Sequence, residues 1–266
     1  MENNFYTASE AMKRLGLSKS DFFRRVNEGQ IPKRTKPGSK HGVYPKRDID
    51  ALALAMALIF ESQDKLVFSK STPGDQVEEM DIGIRCFGSE YITPLPERIG
   101  FQQKSEFTFW SLKVDGQVVG YISMFRFPPT FLDDILTGNQ IERSITVKEV
   151  LPFTRLESMD IYIDVMAVDP KLPHHLKKLY AGIIVSRFCS KILDLIDNGY
   201  LIQTMYTVTA TTEGDNLVKK VGFKLLEGKS KAKGRIAYKY DLDEKGIKRL
   251  KEISSRFTNH QIETTA

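Results

Sequence analysis

The chain has 266 residues, 41% of them hydrophobic and 27% charged, with a formal net charge of +5. That length suits two domains, and no apolar run approaches the ~20 residues of a membrane helix, "ALALAMALIF" (51–60) being about half of one. The opening MENNFYTASE lacks a secretory pattern, and Cys86 and Cys189 stand apart with no histidine nearby, so a cytoplasmic protein with reduced cysteines and no metal site is expected.

The charge is uneven. Residues 1–50 hold eleven Lys and Arg against six Asp and Glu, while the remaining 216 residues hold 28 of each. A basic segment beside a neutral remainder is the electrostatic footprint of a phosphate-backbone binder. A solvated basic face is the plainer alternative.

The local pattern bears on that choice. Thr7 caps a first helix with Glu10 completing a capping box, and Ala11, Met12 and Leu15 form its apolar stripe. Gly16 ends it and Ser18 caps a second helix over Lys19–Glu28, which buries Phe22, Phe23 and Val26. Gly29 and Pro32 stop that helix, and a basic hairpin with Lys33, Arg34, Lys36 and Lys40 leads to a third helix from Asp48.

Tyr6-Thr7, Gly16-Leu17-Ser18, Glu28-Gly29-Gln30-Ile31-Pro32 and Tyr44-Pro45-Lys46-Arg47-Asp48 occur in an order that resembles the MerR and excisionase-type winged helix-turn-helix domains. The resemblance covers about 55 residues and implies double-stranded DNA as partner. Ser18, Lys19, Ser20 and Asp21 would face base edges, and Arg24 and Arg25 phosphates or guanines. Lys33, Arg34, Lys36, Lys40 and Tyr44 would sit in or beside the wing. A homodimer is expected, joined through the second domain or through Leu52, Leu54, Ala55, Leu58 and Ile59.

A different texture follows residue 63. Asp115-Gly116 marks a hairpin between strand-like runs, and "SMDIYIDVMAVDP" (158–170) alternates as a strand. Residues 174–199 have helical spacing up to Asn198-Gly199. A strand, a short helix ending at Gly222-Phe223 and a last strand complete an α/β (α+β) layer.

Hairpin, long strand ending Val168-Asp169-Pro170, helix and "LVKKVGFKLL" together resemble the GNAT acyltransferase fold, a mixed sheet flanked by helices. That resemblance implies a glycine-rich pyrophosphate cradle after the long strand and a Tyr proton donor four residues before Gly-Phe. The register Lys177–Gly182 keeps one glycine and sets Tyr180 in the cradle; the donor position is Val218. Asp160 and Asp164, sharing a strand face with Tyr162, are candidate bases.

The expected layout is therefore a DNA-binding winged helix-turn-helix (1–62), a GNAT-like domain (63–242) and a C-terminal helix and tail (243–266). The leading expectation is a sequence-specific DNA-binding regulator whose second domain senses a ligand or dimerises, with no catalytic residue and no cofactor. A mobile-element architectural factor is a weaker reading. The alternative is an acetyl-CoA-dependent N-acetyltransferase with a DNA-targeting module.

Overall fold

The computed structural model describes residues 4–35, 42–61, 66–227 and 234–255. The chain divides into two compact units: one reaches to Glu61 and takes in Pro173–Leu179, the other holds the rest. Among the described residues no helix is long and apolar enough to cross a membrane.

The smaller unit runs β1 (Phe5–Tyr6), α1 (Ala8–Leu15), α2 (Lys19–Asn27), β2 (Arg34–Thr35), β3 (Gly42–Pro45) and α3 (Lys46–Glu61). Its local signals act as expected. Thr7 and Glu10 exchange capping-box bonds, Ser18 accepts from the Asp21 N–H, and Gly16 ends α1 at φ 65°. Ala11, Leu15, Phe22, Ile31, Tyr44 and Ile49 are buried together. Phe23 departs from expectation: it is 38% exposed, its ring edge-on to that of Phe22. A helix this short turns one narrow stripe inward, and Phe22 occupies it. Of the residues suggested for a dimer contact, Leu52 packs on this core and Leu54 is exposed. The side chains of Ala55, Leu58 and Ile59 lie outside those described.

The larger unit holds a seven-stranded sheet in the order β4-β5-β6-β7-β8-β10-β9. The strands are β4 (Leu66–Lys70), β5 (Phe109–Val114), β6 (Gln117–Phe125), β7 (Met159–Val168), β8 (Ile202–Thr209), β9 (Lys224–Leu225) and β10 (Ile236–Asp241). The helices are α4 (Pro73–Phe87), α5 (Leu95–Lys104), α6 (Pro129–Thr137), α7 (His174–Asp197, of which Tyr180 onward belongs to this unit), α8 (Thr212–Val221) and α9 (Glu244–Ser254). The β5–β6 hairpin turns on Asp115 and Gly116, both at positive φ, and β7–β8 is the parallel pair of an otherwise antiparallel ladder. This is the expected mixed α/β layer fold, a mixed sheet flanked by helices.

Helices cover both faces of the sheet. At Gly120 a Cβ would come within 2.7 Å of the Ala167 carbonyl oxygen and 2.8 Å of Ile184 Cδ1, so α7 lies on that face. The next residue, Tyr121, points its hydroxyl to Gly83 of α4 on the other face. We expect Gly120→Ala to lower stability by about 1–3 kcal/mol, because one of the obstructing atoms is backbone; thermal unfolding checks it. α9 belongs to the same body, burying Leu250 and Ile253 and accepting a 2.9 Å bond from Ser186 Oγ at its Ser254 carbonyl.

The helix after β7 begins earlier than the cradle register requires. Pro173, with preset φ and no N–H to lose, precedes the first helical residue His174. Lys177–Gly182 therefore lies inside α7, with the Lys177 N–H already bonded to the Pro173 carbonyl at 3.0 Å. Tyr180 is a buried residue of that helix, not a side chain in a turn. The cradle register is corrected accordingly.

Candidate active site

Strand β7 makes the site. Along β6 it pairs Gly120 with Val168, Tyr121 with Ala167 and Ile122 with Met166, and then the register slips so that Met124 faces Ile163. Asp164 and Val165 together stand opposite Ser123, a β-bulge that bends and twists the strand. On its other edge β7 pairs with β8 from Met159↔Ile202 to Ile163↔Thr207 and no further. Both strands run on, to Val168 and Thr209, so they part at the bulge.

A cleft of about 680 Å³ opens where they part. Its walls include Ile163, Asp164, Val165 and Met166 from β7 and Met205, Thr207, Val208 and Thr209 from β8. Residues of α4 and α5 line it from one face of the sheet, and Val185, Phe188 and Cys189 of α7 from the other. The cleft thus passes between two strands of the sheet.

Asp164 sits at the parting. Its carboxyl is embedded in protein yet keeps some solvent access through the cleft, and Ser123 Oγ donates to Oδ2 at 3.1 Å. Burial raises its pKa to about 7, with the negative charge of Glu142 adding to the rise and the Ser123 bond opposing it. Near neutral pH the group exchanges a proton readily.

Glu142 reaches the cleft from the 3-10 turn Glu142–Ser144. Arg235 grips it with two bonds of 2.7 and 2.8 Å, and Tyr162 Oη donates at 2.6 Å. Burial opposes its ionisation, but those donors hold its carboxyl below the usual range. Glu142 is therefore a fixed anion beside a titrating one.

A second buried group backs the cleft. Arg98 of α5 donates to Glu79 of α4, and Ser71 and Ser111 each offer a hydroxyl to Glu79 Oε1, at 2.5 and 2.6 Å. The guanidinium carbon lies 4.2 Å from the Phe109 ring centroid. Burial pushes Glu79 upward while Arg98 and the hydroxyls pull the other way.

The structure sorts the residues picked out from the sequence. Of the two candidate bases, Asp164 lines the cleft, whereas Asp160 bonds Thr204 and its pKa is raised by burial. Val218 lines the cleft from α8 and carries no proton. Glu142, Arg98 and Arg235 escaped sequence reading, having no motif around them.

The residues suggested for DNA scatter in role. Ser18 is spent on the α2 cap and shares a 3.1 Å contact with Ser20, while Lys19 is exposed. Asp21 pairs with Arg24 at 2.5 Å, and Arg24 also reaches Glu28 at 3.3 Å. Arg25 is half-buried, and burial pulls its guanidinium downward. Arg34 is exposed, and the stem of Lys33 crosses Gly42 where a Cβ would stand. Tyr44 is 1% exposed, edge-on to Phe22 in the core, so it is corrected from a surface contact to a packing residue. Lys36 and Lys40 lie outside the described residues. Among those described, no group of three His, Cys, Asp or Glu could hold a metal.

No family model and no curated protein matches the chain. Solved structures similar to it include Ard1 from Thermoplasma volcanium, at 14% identity over 66% of this chain and 95% of that one, TM-score 0.44. An N-acetyltransferase from Staphylococcus aureus Mu50 follows at 13% over 67% and 99%, TM-score 0.42. PaiA N-acetyltransferase from Thermoplasma acidophilum, in complex with coenzyme A, stands at 11% over 66% and 98%, TM-score 0.42. The leading expectation of a DNA-binding regulator is corrected here. Two of these three structures are named N-acetyltransferases, and the carboxyls Asp164 and Glu142 both line the cleft of the larger unit.

Proposed function

We propose that the chain is an acetyl-CoA-dependent N-acetyltransferase acting through the cleft of its larger unit. One observation carries the reading: a carboxyl poised near neutrality, Asp164, at the point where two parallel strands part. An amine at neutral pH is mostly an ammonium ion and must lose a proton before it attacks an acyl carbon. Asp164 is placed to take that proton, and Ser123 orients its Oδ2.

The residues fit a thioester arm. The walls between the parted strands are largely apolar, from Val165, Met205 and Leu217, so an acyl group there is shielded from water. Acetyl-CoA, when bound, would supply an activated acyl thioester whose sulfur can depart as a thiolate, without a donated proton. Val218 is therefore no bar to the reaction.

Calorimetry with acetyl-CoA and a thiol-release assay over a panel of amines test the proposal. Saturable binding with amine-dependent thiol release is the expected result. Absence of saturable binding would sink it.

A further inference from the structure

Where β7 and β8 stop pairing, something other than the ladder must hold the two sides of the gap. The last matched pair is Ile163↔Thr207, although β7 runs on to Val168 and β8 to Thr209. Glu142 bonds to both sides. On one it accepts from Tyr162 at 2.6 Å, and Tyr162 pairs with Tyr206 one residue short of the parting. On the other it accepts two bonds, of 2.7 and 2.8 Å, from Arg235. Arg235 precedes Ile236, the first residue of β10, and Ile236 pairs with Thr209, the last of β8. One carboxylate therefore joins β7 to the β8–β10 side across the opening, and the two-bonded fork of Arg235 fixes its orientation. Glu142 itself opens the turn Glu142–Ser144, which the Ser144 and Ile145 N–H groups close at 2.8 and 3.1 Å.

We propose that Glu142 is a positioning residue: it ties the two sides of the parted sheet together and fixes the surroundings in which Asp164 takes a proton. It touches no reacting atom in this role, and the inference rests on the reading of Asp164 as the base. The tie and the base share a strand, Asp164 lying two residues beyond Tyr162 on β7. The charged groups that act on Asp164 are Glu142, Arg98 of α5 and Arg235, and Ser123 of β6 donates to it. Tyr121 of β6 and Tyr162 also face it, but burial pushes both hydroxyls up, so they stay neutral near neutral pH. Cys86 of α4, Arg143 and Cys189 of α7 line the same cleft, and Glu79 stands behind Arg98, paired with it. Among the groups acting on Asp164, Glu142 is the anion, and its bonds from Arg235 and Tyr162 keep it ionised. A held anion disfavours a second one nearby, so Asp164 keeps its proton until neutral pH. A carboxylate free to turn toward water would exert far less of that effect.

The test uses the full-length protein. Glu142→Gln keeps the size of the side chain and an acceptor for Tyr162 but removes the charge. With isotope-labelled aspartate carboxyls, Asp164 is followed by NMR through a pH titration, its signal identified by its loss in Asp164→Asn. The pH profile of kcat for acetyl transfer is recorded beside it. We expect the Asp164 titration and the acid limb of kcat to move together to lower pH in Glu142→Gln, by about half a pH unit or more, because the anion is gone and Arg235 is unopposed. Arg235→Lys gives a second reading that needs no activity. Lysine keeps the charge but replaces the rigid fork with a point charge, so amide exchange at Ser144 and Ile145 should quicken about tenfold or more. A shifted Asp164 titration in Glu142→Gln, with no acetyl transfer by the parent, would keep the tie and remove the acetyltransferase reading. Acetyl transfer by the parent, with the Asp164 titration unmoved in Glu142→Gln, would keep that reading and overturn the inference. Unchanged exchange in Arg235→Lys overturns it as well, and that result decides alone if Glu142→Gln does not fold.

Discussion

Asp164→Asn is expected to slow acetyl transfer by about 10²–10⁴-fold, the range that a positioned general base contributes. The amide keeps the shape of the carboxyl and its contact with Ser123, but cannot accept a proton from the attacking amine. In the parent, kcat should climb as pH rises through about 7, where Asp164 changes from acid to base. The variant should lose that limb. Stability offers an independent check on the same group. Its pKa is raised in the folded state, so the fold binds more protons than the unfolded chain and loses stability as pH rises from the ordinary carboxyl range to about 7. Asp164→Asn removes that penalty. The variant should therefore unfold at a higher temperature than the parent at pH 8 and show a smaller difference at pH 4. A variant that is inactive and also less stable at pH 8 would mark Asp164 as a structural residue instead.

Glu79→Ala is expected to lower the folding free energy by about 3–5 kcal/mol, the cost of leaving one partner of a buried ion pair alone. Glu79 is completely buried, and the loss strands the Arg98 guanidinium together with the hydroxyls of Ser71 and Ser111. Urea unfolding measures the effect. The double change Glu79→Ala with Arg98→Met should recover part of the stability, because the unpaired charge goes with its partner. If the single change costs under ~1 kcal/mol, the network is either hydrated or dispensable, and its part in shaping the cleft wall lapses.

The two expectations draw on different levels of the molecule. Asp164 was legible as a candidate from the alternation of β7, since Asp160, Tyr162 and Asp164 fall on one face of any strand through them. Which of the acids matters was not legible. The bulge opposite Ser123 and the end of β8 pairing at Ile163 decide it, and both depend on neighbouring strands far along the chain. Glu142 lies in an irregular segment that no periodicity marks, and it is brought to Tyr162 and Arg235 by the tertiary fold alone.

The sequence by itself determined what is local. Capping at Thr7 and Ser18, the left-handed turn at Gly16, the Asp115-Gly116 hairpin and the spans of β7 and α7 are set by dihedral preference and period over a few residues. Only the tertiary structure decided where Tyr44 and Tyr180 are buried, and how Glu79 and Arg98 meet across α4 and α5. It alone parted β7 from β8 and left a carboxyl near neutrality in the gap. The physical reason is that burial and the proximity of charges are sums over residues distant in the chain, and a pKa follows those sums more than the residue's own neighbours in sequence.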